Sequence, residues 1–142
     1  FLYMNRPDIP REDEHYAAYR RLVEAFRNQP VTIRTLDIGG DKQIEALLST
    51  RVNVANPALG LRAVRLALKE PELFMPQLRA IVRASALGQV RLMIPMLAQV
   101  DEVTQVVELV RRIQHEFTQQ GVDFDPAMPI GGMIEVPAAA VY

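Results

Sequence analysis

Short apolar runs of strand length alternate with segments of helical period along the whole chain, and that alternation restricts the fold more than any other feature. Phe1-Leu2-Tyr3-Met4 is apolar and stops at Asn5-Arg6-Pro7. From Glu12 to Arg27 apolar residues recur at Tyr16, Tyr19, Val23 and Phe26, one face of a helix closed by Asn28-Gln29-Pro30. Val31 to Leu36 is short and β-branched and runs into Asp37-Ile38-Gly39-Gly40-Asp41, a strand followed by a glycine-rich loop. Asn56 and Pro57 supply a cap and a first-turn proline for a helix over Ala58 to Leu68. Glu70-Pro71 opens another, carrying Leu73, Leu78, Ile81 and Val82 and ending near Gly88. Val90 to Met96 is the next strand, stopped by Pro95. From Asp101 the residues Val103, Val107, Val110, Ile113 and Phe117 trace a helical face that Gly121 terminates. Met128 to Glu135 is a fourth strand, and Pro137-Ala138-Ala139-Ala140 begins a further helix.

Strands that alternate with helices form parallel sheets wrapped by helices, so the chain is expected to be an α/β protein. Four strands would suit a small open sheet. Both ends of the chain, however, fall inside elements, and a closed eight-stranded barrel takes about 250 residues. The expectation is therefore a partial (β/α)8 barrel, roughly its first half, with residues 1–142 as one piece of a single domain. At 49% hydrophobic residues the chain has enough apolar surface for a core. Its 16 basic and 17 acidic residues nearly cancel, which removes the basic field that nucleic acid or an anionic membrane surface requires. No apolar run approaches the roughly 20 residues of a membrane span, and no secretory signal is present, so a cytoplasmic location is expected. The absence of cysteine excludes disulfides and thiol chemistry within these residues.

Charged residues fall at the ends of three of the four strands: Arg6 after the first, Arg34 and Asp37 closing the second, and Glu135 closing the last. In a β/α barrel the carboxyl ends of the strands share one active face. Arginine suits an anion there, because its planar fork makes paired, charge-assisted hydrogen bonds to phosphate or carboxylate. A carboxylate on the same rim would repel that anion unless a cation lay between them, and Mg2+ accepts one or two carboxylates together with phosphate oxygens and water. A structural salt bridge to Asp37 would account for Arg34 equally well, and Arg6 could be a surface residue. His15 and His115 lie on charged amphipathic helices and are expected at the surface, while Met93 and Met96 are expected to pack in the core.

The string Arg34-Thr35-Leu36-Asp37-Ile38-Gly39-Gly40-Asp41-Lys42 closely resembles a motif of the Enzyme I family, the phosphoenolpyruvate-protein phosphotransferases of the bacterial sugar phosphotransferase system. FLYMNR (Phe1 to Arg6), NPALGLRAVR (Asn56 to Arg65), RLMIPM (Arg91 to Met96) and GGMIEVPAAA (Gly131 to Ala140) resemble that family's other barrel motifs, in its order. The resemblance covers essentially the whole chain and corresponds to the first half of the family's C-terminal phosphoenolpyruvate (PEP)-binding barrel. It implies Arg6, Arg34 and Arg62 as ligands of the PEP phosphate and Glu135 as a Mg2+ ligand. It also implies transfer of the phosphoryl group to a histidine on a separate domain and then to the carrier protein HPr, and a homodimer built on the barrel. The motif of the phospho-acceptor histidine and the later barrel motifs do not occur within these residues, so this segment by itself is expected to be inactive. Pyruvate phosphate dikinase and PEP synthase have a related barrel with similar arginines, but their loop equivalent to RTLDIGGDK reads differently. A non-catalytic dimerisation or regulatory module is the alternative from another class.

Overall fold

The computed structural model describes residues 8–26, 29–37 and 63–141. The expected strand at Phe1 to Met4 and the helix start at Asn56-Pro57 lie outside the described residues. Helix α1 spans Glu12–Ala25 and strand β1 Val31–Arg34. Helices α2 (Ala63–Lys69) and α3 (Pro71–Ala84) follow, and one 3-10 turn at Ser85–Leu87 leads into strand β2, Val90–Ile94. Helix α4 (Val100–Gln120), strand β3 (Ile130–Gly132) and helix α5 (Pro137–Val141) complete the order.

The described strands form one three-stranded sheet in the order β1-β2-β3, both pairings parallel. Register runs from Val31 opposite Val90 to Arg34 opposite Met93, and from Leu92 opposite Ile130 to Ile94 opposite Gly132. Side chains alternate across a strand, and here the alternation sorts them cleanly. Val31, Ile33, Val90, Leu92 and Ile94 are buried against Phe74, Leu78, Ile81 and Val82 of α3 and Val106, Val110, Ile113 and Phe117 of α4. Of the intervening positions, Thr32, Arg34 and Arg91 are exposed and Met93 is half-buried. The helices thus cover one face of the sheet, and the polar residues of β1 and β2 are left on the other.

The helices begin and end where local chemistry dictates. Three acids open α1, favourable against the helix dipole, and Glu14 reaches back to accept the Arg11 N–H at 2.8 Å. Pro71 occupies the first turn of α3, where its missing N–H costs nothing, and the helix continues through Pro76. Gly121 ends α4 in the left-handed conformation (φ 68°), with Val122 N–H closing onto the Phe117 carbonyl at 2.9 Å. An ion-pair brace ties three helices together. Arg79 reaches Glu12 at 2.7 Å and Glu116 at 2.6 Å, and Arg83 reaches Glu12 at 2.8 Å and Asp13 at 2.9 Å. The same guanidinium groups lie over the Phe117 and Tyr16 rings, at 4.7 Å and 4.1 Å from the centroids.

Three sequence expectations are corrected. Phe26 caps the end of α1 beyond the core and is 48% exposed. The buried line of α1 instead begins at His15, 1% exposed, which was expected at the surface; its ring stacks on Tyr19 one turn away and its Nδ1 lies 3.2 Å from the Tyr19 hydroxyl. On α4 the buried face runs through Glu102, Val106, Val110, Ile113 and Phe117, and Val103 is 40% exposed. Hydropathy spacing overlooks both His15 and Glu102 because a polar residue can be buried once its polar atoms are partnered.

Candidate functional site

In a parallel sheet every strand ends on the same edge, so the three chain segments that leave β1, β2 and β3 emerge side by side. Arg34 is the last residue of β1 and its side chain is exposed. Thr35 continues the ladder by one bond, N–H to the Met93 carbonyl at 2.9 Å, and Asp37 follows, half-buried. Beyond β2, Pro95 is buried and Met96 takes a left-handed backbone (φ 56°), unusual for a residue with a bulky side chain. That conformation turns the Met96 N–H toward the neighbouring strand end, where it donates to Glu135 Oε1 at 2.8 Å. The carboxylate of Glu135 is therefore oriented by the backbone of β2's exit loop while remaining exposed.

Glycine makes the close approach of these segments possible. A Cβ on Gly132 would collide with the Leu97 side chain, which is buried just after Met96. Leu97 occupies the space a side chain at position 132 would need, so a larger residue there would have to displace the buried Leu97 side chain.

The far end of the same loop is held by Glu102. Its Oε2 accepts the N–H groups of Ala98 at 2.7 Å and Gln99 at 3.2 Å, and Oε1 lies 3.5 Å from Arg65 Nε on α2. Glu102 is only 6% exposed, and its charge is offset by the two amides and the Arg65 guanidinium. Glu102→Ala leaves two amides and a guanidinium without this partner. It is expected to cost about 3 kcal/mol in a denaturant titration, whereas Glu102→Gln, which keeps an acceptor oxygen, should cost about 1 kcal/mol. Equal losses for the two variants would show that the hydrogen bonds to the loop contribute nothing.

Of the residues singled out from the sequence, Arg34 and Glu135 both lie at the carboxyl edge of the sheet, on the exits of β1 and β3. Arg6 and Arg62 lie outside the described residues. His115 is exposed, as expected, with Nε2 2.9 Å from Gln119 Nε2. Sequence reasoning missed Glu102 and Met96. The first had a legible signal, an acid three residues after the helix cap; the left-handed Met96 had none. Among the described residues no group of three or more acidic or histidine side chains is gathered for a metal. An apolar groove of about 250 Å³ between α2, α3 and α4, lined by Leu68, Phe74, Met75 and Leu109 with Glu108 and Arg112, includes neither Arg34 nor Glu135.

The chain is 49% identical over 142 residues to the phosphoenolpyruvate-protein phosphotransferase of Cupriavidus necator, a match covering 99% of this chain and 24% of that protein. It is 43% identical over 141 residues to the protein of that name from Geobacillus stearothermophilus and 40% identical over 141 residues to the one from Haemophilus influenzae, with the same coverage. The chain thus spans about a quarter of the length of these curated relatives. The family model for the PEP-binding domain of PEP-utilising enzymes matches residues 1–142, the whole of the sequence, and the chain belongs to that family.

Proposed function

We propose that this chain is part of the PEP-binding barrel of a phosphoenolpyruvate-protein phosphotransferase, and that Arg34 and Glu135 belong to its substrate site. The observation that carries the reading is the placement of a guanidinium and an oriented carboxylate on one edge of a parallel sheet. The exposure of Thr32, Arg34 and Arg91 on one sheet face supports closure into a (β/α)8 barrel, since both faces of a parallel sheet are ordinarily covered. In that barrel the carboxyl edge is the reactive face.

Arg34 binds the PEP phosphate through its planar fork and holds it in line for transfer, with Arg6 and Arg62 contributing further positive charge. Phosphoryl transfer depends chiefly on such positioning and on spreading charge over the moving oxygens. Glu135 fits one share of a Mg2+ site: it is a hard oxygen ligand, exposed, and oriented by the Met96 N–H. Bound there, Mg2+ would neutralise negative charge developing on the phosphate. Transfer onward to a histidine of another domain and then to HPr, the role in sugar uptake, the homodimer and a cytoplasmic location belong to the same reading. No described helix is long and apolar enough to cross a membrane.

The test is calorimetric titration of the complete polypeptide with PEP, with and without Mg2+. Affinity should rise with the metal, and Glu135→Ala should weaken the metal-dependent part by about 10- to 100-fold. A Glu135→Ala protein that keeps the full metal effect would remove Glu135 from the site.

A further inference from the structure

A line of buried polar side chains crosses the core and ends on the backbone just beyond Arg34. The last sheet bond of β1 is made by Thr35. The next amide, Leu36, donates instead to Gln77 Oε1 of α3 at 2.8 Å. Gln77 Nε2 donates in turn to the Tyr19 hydroxyl of α1 at 3.0 Å, and that oxygen lies 3.2 Å from His15 Nδ1. Gln77 is 5% exposed and His15 is 1% exposed.

Donor counting fixes the direction of this chain. Because the Gln77 oxygen takes the Leu36 N–H, its NH2 must face Tyr19. The Tyr19 oxygen accepts that bond and lies within hydrogen-bond distance of His15 Nδ1, which ties the two helices to the Gln77 amide. Burial raises the Tyr19 hydroxyl above its ordinary pKa of 10.0, against the lowering effect of the Gln77 hydrogen bond, so the phenol stays protonated.

Such a network is not the simplest way to fill a core. A buried polar atom left without a partner is destabilising, and an apolar residue at position 77 would carry no such liability. A fully satisfied network does, however, select one arrangement of the groups it joins. What it joins here is two helices and the chain between Arg34 and Asp37.

We infer that Gln77, held by Tyr19 and His15, is a positioning residue for the anion site: by anchoring the Leu36 amide it fixes the course of the chain after β1 and keeps Arg34 and Asp37 in register with the neighbouring strand end. This rests on the reading of Arg34 as a substrate ligand. Without Gln77 the Leu36 amide loses its partner, so the chain is unanchored immediately beyond the Thr35 ladder bond and the strand end that carries Arg34 is free to fray. Displacement of a binding group by about 1 Å can reduce rate by as much as 100-fold.

The experiment compares Gln77→Met, Gln77→Glu, Tyr19→Phe and Arg34→Ala in the complete polypeptide, measuring steady-state constants for PEP and for the acceptor protein together with thermal melting. Gln77→Met keeps the volume but removes the acceptor for Leu36, and should lower kcat/KM for PEP about tenfold or more while KM for the acceptor protein is unchanged. Gln77→Glu retains an oxygen for Leu36, either ionised or protonated, and should stay within about threefold of the parent. Tyr19→Phe leaves the Gln77 oxygen in place without its anchor and should give an intermediate loss; it decides the matter if Gln77→Met does not fold. A lower melting temperature with unaltered PEP constants in both Gln77→Met and Tyr19→Phe would make Gln77 a core residue only. Equal impairment of Gln77→Met and Gln77→Glu would overturn the role of the Leu36 bond. No effect of Arg34→Ala would overturn the substrate-ligand reading and this inference with it, whereas an effect of Arg34→Ala alone overturns only the inference.

Discussion

Replacing Arg34 by alanine is expected to lower kcat/KM for PEP by about 100-fold or more in the complete polypeptide, the scale on which loss of one preorganised donor to a reacting anion is felt. Arg34→Lys should recover only part of this, because an ammonium restores the charge but not the planar pair of donors. Stability should barely respond. The side chain is exposed at the end of β1, and substitutions at such positions fall within about 0.5 kcal/mol. The separation of a large kinetic loss from a negligible shift in melting is the signature of a ligand rather than a structural ion pair. An Arg34→Ala protein with normal PEP kinetics and reduced stability would favour the salt-bridge explanation that the sequence left open.

The largest effect on stability is expected at Phe117. Its ring is 1% exposed, packs among the buried residues of α3 and the sheet, lies under the Arg79 guanidinium at 4.7 Å and meets Phe124 at a centroid distance of 6.4 Å. Phe117→Ala should cost about 3–5 kcal/mol from lost burial and the residual cavity. The melting temperature should fall by roughly 10 °C. Phe26→Ala is the internal control. Phe26 is nearly half exposed at the end of α1, and its removal should change stability by no more than about 0.5 kcal/mol. Comparable losses for the two phenylalanines in a guanidinium titration would mean that the core does not lie where α3 and α4 meet the sheet.

Apolar periodicity determined most of the architecture. Val31 to Leu36 and Val90 to Met96 were legible as strands because β-branched and apolar residues run there between turn residues, and both are strands in shortened form. Pro71 and Gly121 marked helix ends because proline and glycine act through backbone geometry that no packing has to supply. The candidate site was legible for a related reason: Arg34 and Glu135 stand next to strand ends, and parallel pairing sends all strand ends to one edge.

Only the tertiary structure decided which polar residues are inside. His15 read as a surface residue, and Glu102 went unremarked, because spacing measures hydropathy and knows nothing of partners. Each is buried through groups distant in sequence or in space, His15 within the line running through Tyr19 and Gln77 to Leu36, and Glu102 through Arg65. The left-handed backbone of Met96 likewise has no local cause, since methionine does not favour it; its bond is to Glu135, 39 positions away on the exit of β3. Local propensity and periodicity are properties of neighbouring residues and so can be read from the sequence by itself. The pairing that lets a charge or a strained residue sit at the edge of the sheet exists only once the strands and helices have come together.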